Sequence, residues 1–500
     1  MTALATVSLC LAGCSLGPDY HAPELALPAA YRGTPATAAM AWPATDWWRG
    51  FKSPVLDQLI EQARGGNFDI QAAIARVRQA DAQVRISGSP LLPTVDASGK
   101  ADYQRAGFTR RGGSSSVGTA ALSGLGTGAS TVVTSGATGR SHYFDSRAYS
   151  IGPSVSYEVD LWGRLRAAQD SAEASAMFSR FDQQTVALTA VTSVANTWFQ
   201  ALALADRVAI VRRNLRDAEQ ILQAIQGRLT VGTASLLDVS QQSALVAGLR
   251  AQIPGLRSQL AQQVNGLGIL VGRAPQDISV TPDTLTRLAL PEIPAGLPSQ
   301  LLERRPDVAA AEAQLVAANA NIREARANFF PQITLTGSAG LQSAALTAIT
   351  GPGALLITAA ASVAQTIFDN GLKGGQYEQA RARYDELLAD YRRAVVQALT
   401  DVQNALDLYR LSTEQEGLEQ DAVNVAQRAA DIARAQLLGG TSDIVTALQA
   451  QITLFNDLDI LAQVRLARFQ ALLDLYKALG GGWDRGMTIV PPSTIFHGVL

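Results

Sequence analysis

Histidine and cysteine are scarce in this chain, and their placement argues against several kinds of chemistry. Its 500 residues include three histidines and two cysteines. His21, His142 and His497 are far apart in the sequence, which speaks against a His-based catalytic triad or a histidine-rich metal site. We find no Gly-rich phosphate loop and no nucleophile motif. The sequence therefore predicts a protein that is not an enzyme and that needs no cofactor or metal.

Net charge and aromatic content are also low. The formal charge is −2 and no basic run stands out, so nothing in the composition indicates nucleic acid as a partner. Hydrophobic residues make up 47% of the chain but aromatic residues only 6%, and alanine is abundant. This balance favours long seams between helices over one large core.

The chain lacks an unbroken apolar run of the length that a membrane-spanning helix needs. Its longest uncharged stretch, Ala327 to Phe368, is interrupted by Pro331, Pro352 and several glycines. Any membrane crossing by this chain is therefore predicted to use strands.

The N-terminus has the pattern of a bacterial lipoprotein leader. An apolar run from Ala3 ends in Leu11-Ala12-Gly13-Cys14, which matches the lipobox. We expect residues 1–13 to be a signal peptide, Cys14 to be acylated, and residues 14–52 to form a tether to the membrane. The alternative is an ordinary secretory leader with incidental cysteines, and no Lys or Arg precedes the run.

The sequence is internally duplicated. Three glycines recur at an offset of 208 residues, as Gly163/Gly371, Gly232/Gly440 and Gly272/Gly480. Upstream the offset becomes 238, as in Pro93/Pro331. The difference falls in a loop rich in Gly, Ser and Thr, from Gly107 to Gly139, which is either a mobile excursion or a lid. We predict repeat 1 at 53–272, a linker at 273–297, repeat 2 at 298–480 and a tail at 481–500.

Each repeat contains two segments with a period of two. The predicted strands span about residues 94–104, 148–161, 332–342 and 355–368, with apolar side chains such as Val95 opposed by polar ones such as Asp96. This length and alternation are typical of strands that cross a bilayer at a tilt, although a soluble sheet packed on one face is the alternative. Pro153 indicates an edge or bulge.

Very long helices follow the strands. No Gly or Pro occurs from Arg164 to Gln226, which allows roughly 95 Å of helix. Apolar residues then follow coiled-coil spacing, and a Gly-Thr pair ends each long helix. Return helices are predicted at Ala234 to Val271, with a kink at Pro254, and at Ser442 to Leu479.

Four strands cannot close a membrane barrel, because outer-membrane barrels begin at eight strands. Three chains with twelve strands are the smallest assembly that leaves a lumen. The predicted fold is therefore an α+β membrane protein, internally duplicated, with a trimeric 12-stranded β-barrel and long coiled-coil helices.

Several motifs carry a resemblance to a known family. They are the lipobox with Gly17-Pro18-Asp19-Tyr20, Trp47-Trp48, the run Tyr157 to Arg164, Arg304 to Val308, and Phe329-Phe330-Pro331. The chain resembles the outer-membrane-factor family of TolC-like channels, in the lipoprotein branch of RND-type efflux systems. The resemblance implies a homotrimer in outer-membrane lipid, whose 12-stranded β-barrel is continued by a long α-helical coiled-coil barrel. It also implies that this trimer acts as a passive exit duct for drugs or other toxic small molecules. It also implies a periplasmic adaptor and an inner-membrane transporter as partners.

In that family the helical tips form a closed periplasmic aperture ringed by acidic residues. Alignment at the Gly-Thr pairs keeps an acid, Asp238, in the first copy, whereas Gln449 and Thr446 in the second copy are uncharged. The resemblance thus implies an aperture and adaptor contact at Gly232, Thr233, Asp238, Gly440, Thr441, Asp443 and Gln449, with Arg228 and Arg434 as candidate gate charges. The alternative is that these are solvated helix-end charges of little energetic weight.

Two other functions fit parts of the pattern. A TolC-like channel of a type I protein secretion system would share the fold. A periplasmic coiled-coil adaptor or scaffold lipoprotein would explain the helices and the anchor, but it would not need lipid-facing strands.

Overall fold

A computed structural model of the chain describes residues 43–108, 142–280, 282–291 and 304–481, together with 17, 19–25, 28, 30–32 and 483. The predicted lipidation site Cys14 lies outside the described residues, as does most of the loop predicted at Gly107 to Gly139. The described chain divides into two compact units. The sheet unit comprises the described residues of 88–165 and 328–369, and the helical unit comprises the others.

Four antiparallel strands form the sheet unit, in the order β1-β2-β3-β4. Their bounds are β1 Thr94–Phe108, β2 His142–Glu158, β3 Gln332–Ser343 and β4 Leu355–Ala364. The register puts the alternating residues of all four strands on common faces. One face is rich in Ser, Thr and other polar residues, and the opposite face carries aliphatic and tyrosine side chains. The period of two in the sequence is the direct cause of this division.

The strand ends differ from the predicted ones. Strands β1 and β2 extend further because their pairing continues to Phe108 and His142. Strand β2 ends at Glu158 and not at Leu161, and beyond its end the Asp160 side chain accepts a hydrogen bond from the Leu165 N–H. Strand β4 ends at Ala364 and not at Phe368, since Ala364 pairs with Gln332, the first residue of β3.

Pro153 does not mark an edge strand. Strand β2 lies between β1 and β3, and Pro153 pairs with Ala97 of β1. On the other side, the pairing with β3 is interrupted at Gly152 and Pro153 and resumes at Ser154. The missing proline N–H accounts for a local gap in one ladder, while the strand itself continues.

The helical unit contains two long helical hairpins. The first joins α3 (Arg164–Thr230) to α4 (Leu236–Val271), and the second joins α6 (Leu372–Gly439) to α7 (Ile444–Ala478). Shorter helices are α1 (Pro54–Gly66), α2 (Phe68–Gly88) and α5 (Pro306–Ala327). Within the described chain, no helix combines the length and hydropathy needed to cross a membrane.

Each hairpin is held by an apolar seam with the predicted spacing. Val208, Val211 and Ala218 of α3 pack against α4 residues including Val246 and Leu249. In the second hairpin, α6 contributes Val423, Ala426 and Ala430, which pack on Leu454 and Leu461 of α7. The return helices begin two residues later than predicted, because Ser235 and Asp443 serve as N-caps outside the helices. Helix α4 continues through Pro254.

An aromatic core joins the N-terminal segment to the helices. Trp47 stacks on Tyr476 with ring centroids 4.5 Å apart, and Phe51 packs edge-on against Phe199 at 4.9 Å. Further upstream, Tyr31 is buried among residues of α6 and α7 that include Val402 and Leu475. The described part of the predicted tether therefore lies against the helical unit.

Candidate functional site at the hairpin tips

The tip of the first hairpin is a glycine turn closed by threonine. Gly232 has a φ of 77° and open space where a Cβ would be, so the left-handed backbone alone favours glycine there. Thr233 donates from both its N–H and its Oγ1 to the Arg228 carbonyl oxygen, at 2.9 and 3.1 Å. These bonds satisfy a carbonyl in the last turn of α3, which would otherwise lack a partner within the helix.

The second tip repeats this geometry. Gly440 has a φ of 75°, and Thr441 donates from its N–H and Oγ1 to the Gln436 carbonyl oxygen at 2.9 and 3.3 Å. Both Gly-Thr pairs therefore act as helix-terminating turns.

The two tip carboxylates are engaged in helix capping. Asp238 accepts from the Ser235 N–H at 2.8 Å while the Ser235 Oγ accepts from the Asp238 N–H, which together form a capping box. Asp443 is the N-cap of α7 and accepts from the Thr446 N–H at 2.8 Å. That backbone hydrogen bond lowers the pKa of the Asp443 carboxyl. The cap therefore contributes stability at neutral pH and loses it as the pH falls through this lowered pKa.

Both predicted gate arginines connect the two hairpins. Arg228 of α3 donates from Nη1 to the Leu437 carbonyl oxygen of α6 at 2.5 Å. Arg434 of α6 donates from Nη2 to Oε1 of Gln220 on α3 at 2.9 Å. Arg228 therefore adds a positive charge to the C-terminal turn of α6, where the helix dipole favours a cation.

A small apolar cluster lies beneath these polar contacts. It contains buried residues from α3, α6 and α7, namely Ile221, Ile225, Ala433, Leu437, Ile444 and Ala447. Gln449 is exposed on α7 beside this cluster. The structure thus brings Arg228 and Arg434 into a shared inter-hairpin contact and leaves Gln449 at the surface.

Two features of the site were not found from the sequence. The acceptor for Arg228 is a backbone carbonyl, which no side-chain pattern marks. The role of Asp238 had a sequence signal, because Ser235-Leu236-Leu237-Asp238 has the spacing of a capping box. Among the described residues, no group of three or more His, Cys, Asp or Glu side chains could hold a metal ion.

The motif from Tyr157 to Arg164 forms a corner between strand and helix. Arg164 makes an ion pair with Glu158 at 2.8 Å. Trp162 stacks on Phe330 with centroids 4.8 Å apart, and its Nε1 donates to the Pro331 carbonyl oxygen at 2.7 Å. Two of the motifs behind the family resemblance therefore meet in one corner of the sheet unit.

The motif from Arg304 to Val308 forms a buried ionic contact in the helical unit. Arg305, which is 8% exposed, donates to Asp307 at 2.6 Å and to Asp401 of α6 at 3.0 Å. Its Nη1 also donates to the Ala478 carbonyl oxygen at 3.3 Å. This one side chain thus links the start of α5 to both helices of the second hairpin.

Comparison with known proteins identifies similar sequences and a similar solved structure. The family model described as "Outer membrane efflux protein" matches residues 59–273 and 297–481. The chain is 38% identical over 486 residues to the pyoverdine export outer membrane protein OpmQ of Pseudomonas aeruginosa, covering 97% of this chain and 98% of OpmQ. It is 32% identical over 489 residues to the antibiotic efflux pump outer membrane protein ArpC of Pseudomonas putida, covering 97% and 96%. The solved structure of the outer-membrane channel OprN has a TM-score of 0.82 and 26% identity, and the match covers 94% of this chain and all of OprN.

Two long helical hairpins with a four-stranded antiparallel sheet define the fold class of the TolC-like outer-membrane channels. Each of the two family matches contains one of the hairpins. The chain belongs to the outer membrane efflux protein family. The predicted resemblance is confirmed, and the function is efflux through the outer membrane. The family and the relatives are transport proteins, not enzymes.

Proposed function

We propose that this protein is the trimeric, lipid-anchored exit duct of a tripartite efflux pump. Three chains form a 12-stranded barrel in the outer membrane, and their hairpins form a helical barrel in the periplasm. Cys14 carries the lipid anchor. The observation that carries this proposal is that each chain has two open edges in its sheet and uncovered seams on its hairpins, which a neighbouring copy would cover.

The sheet unit supports closure with other copies. Strands β1 and β4 are its edges, and its outer face is apolar over the length of a membrane strand. Unpaired backbone groups in lipid cost several kcal/mol each, so open edges are not tolerated there. Pairing β4 of one chain with β1 of the next satisfies both edges at once.

A second apolar seam on α6 supports the same arrangement. It is exposed in the single chain, has coiled-coil spacing, and consists of Leu411, Leu418, Ala422, Val425, Ala429 and Ile432. Leu418 is 66% exposed and Ile432 is 59% exposed, although heptad apolar residues are normally buried. This uncovered seam lies beside the one that packs on α7.

Helix α4 has an uncovered face of a different kind. It presents small or short polar residues at the same spacing, namely Ala244, Gly248, Ala251, Gly255 and Ser258. Large residues of α6 in one copy would fit against this face in the next. An interface between two different surfaces is heterologous, and it closes into a ring when the rotation between copies allows.

The tips of this ring are the proposed gate. Because Asp238 and Asp443 are used as helix caps, we assign the closed state to the contacts of Arg228 and Arg434 and not to a ring of free acids. The Gly-Thr turns and Gln449 are the surface at the tips that an adaptor would meet. This revises the acidic-ring expectation and keeps the same residues at the site.

The partners follow from the same proposal. A periplasmic adaptor and an RND-type inner-membrane transporter complete the pump, and energy comes from the transporter. The substrates are drugs or other toxic small molecules. The relatives named for pyoverdine and for antibiotics support this class without selecting one compound.

Two measurements test the proposal. Cell fractionation with gels of unheated and heated samples should show a heat-sensitive trimer in the outer membrane, and a monomer in a soluble or inner-membrane fraction would contradict it.

In single-channel recordings, Arg228→Gln should raise the closed-state conductance severalfold by removing the charged donor to Leu437. The matched control is Arg212→Gln, which removes a charge from an exposed face of the same helix. Equal conductance in both variants would exclude Arg228 from the gate.

A further inference from the structure

The far end of the β1–β2 hairpin has a charged row on the apolar face of the sheet. Strands β1 and β2 pair as far as Phe108 and His142, whereas the β2–β3 pairing stops at Tyr149. In this overhanging part Tyr103 lies opposite Arg147, and Arg105 lies opposite Asp145. These four side chains share the face that carries Val95 and Ala97 near the start of β1. Charged side chains are not expected on a sheet face that is otherwise apolar.

The row begins where an outer-membrane apolar band would end. From Val95 to Tyr103 the strand rises about 27 Å. At a tilt of roughly 40° this length spans about 21 Å along the membrane normal, which is close to the usual height of the apolar band of an outer-membrane barrel. The outward residues over this length are Val95, Ala97, Gly99, Ala101 and Tyr103, without a charge. The Tyr103 ring therefore lies at the interface, where aromatic residues concentrate. Arg147 lies opposite Tyr103 at this level, and the next outward pair, Arg105 and Asp145, lies at headgroup level.

Both arginine side chains are exposed in this row. Arg147 lies over the Tyr103 ring at 5.7 Å from its centroid, and Arg105 is 3.4 Å from Asp145 with 58% of its side chain exposed. Two arginines against one carboxylate leave a net positive charge. Arginine binds phosphate oxygens with two parallel N–H donors, so the row suits a phosphate group better than a zwitterionic headgroup.

We propose that Arg105 and Arg147 bind the phosphate groups of an anionic glycolipid in the outer leaflet, with Tyr103 packed against the sugar or the upper acyl chain. This rests on the proposed function, because it needs the apolar face of the sheet to point into the outer membrane. It adds a specific lipid class to that function and assigns the site to the overhanging hairpin. The opposite face of the same hairpin, with Lys100 and Asp102, would face the lumen.

The test uses the purified, detergent-solubilised protein and measures its affinity for bisphosphorylated lipid A. Arg105→Gln with Arg147→Gln should weaken binding about tenfold, since the double variant removes both basic residues of the row and leaves Asp145 in place. Lys100→Gln is the matched control, because it removes one positive charge from the same strand on the other face. It should leave the affinity unchanged. Arg147→Gln alone keeps the Arg105–Asp145 ion pair and should give a smaller loss.

Three results of the lipid-binding measurements would overturn the inference. They are an unchanged affinity in the double variant, an equal loss in Lys100→Gln, and equally tight binding of lipid A without phosphates. Inorganic phosphate that binds as tightly as the lipid would point to a free-anion site and would also overturn it. The unheated-gel trimer band is recorded for every variant. Absence of the trimer band in the wild-type protein would contradict the proposed function. An intact trimer together with unaltered lipid binding in the double variant would contradict only the lipid site.

Discussion

Asp238 shows that a residue's immediate backbone neighbours decide its role at a helix end. The family resemblance predicts that it lines an aperture, and in the structure its carboxylate accepts a hydrogen bond from the Ser235 N–H. The spacing from Ser235 to Asp238 was readable in the sequence, so this local role could have been predicted. The contact between Arg228 and the Leu437 carbonyl could not, because it depends on where two distant helix ends meet.

At the same scale, the tip turns predict opposite effects for two nearby glycines. Gly232→Ala should destabilise the tip by about 1 kcal/mol, because a left-handed backbone disfavours any Cβ. Gly227→Ala lies inside α3 with open space around it and should stabilise the helix by roughly 0.5–1 kcal/mol. Urea unfolding, with hydrogen exchange at the tip as a local readout, measures both. A destabilised Gly227→Ala or a neutral Gly232→Ala would contradict this account of the turn.

Secondary-structure elements were largely predictable, and their ends were not. Alternation in the sequence placed each strand, because a period of two reports directly on two faces. Strand β4 ends where β3 begins, at the Gln332–Ala364 pair, so its limit is set by a partner and not by its own residues. Strand β2 extends past its predicted start for the same reason, since β1 pairs with it as far as His142.

One close approach between strands gives a test at this scale. A Cβ on Gly152 would lie 2.4 Å from the Gly340 Cα and 2.5 Å from the Ala339 carbonyl oxygen, which forbids a side chain unless the strands separate. Gly152→Ala should therefore reduce the yield of folded, heat-modifiable protein severalfold. Gly99→Ala is the control, because its nearest contact is 4.0 Å away. Gel mobility of unheated samples gives the measurement, and equal yields would show that β2 and β3 can move apart at no cost.

For the whole molecule, the sequence revealed coiled-coil spacing but not which stripe is covered. Helix α6 has two apolar stripes on adjacent faces, one with Val423 and Ala426 and the other with Leu418 and Val425. The spacing of apolar residues in the sequence does not distinguish the two stripes. Only the positions of α7 and the other helices distinguish the stripe that is buried within the chain from the one left open.

The open stripe gives the prediction for the assembly. Val425→Glu places a charge in the proposed contact between copies and should remove most of the trimer band, because an unpaired charge is costly to bury. Asn424→Glu changes the neighbouring exposed residue, which points to a third face of α6, and should leave the trimer intact. Gels of unheated membranes compare the two variants. A stable trimer in Val425→Glu would place the contact between copies elsewhere.

The unlike faces of α6 and α4 also have a genetic consequence. In a heterologous ring each chain supplies its α6 face to one neighbour and its α4 face to the other, so a copy that is defective on α6 spoils one contact and can still join a ring through α4. With equal expression of normal and defective alleles and random mixing of chains, roughly one in eight of the three-chain rings would contain only normal chains. A seam mutation such as Val425→Glu that still allows one contact would therefore act as a dominant-negative allele and sensitise cells that retain an intact gene.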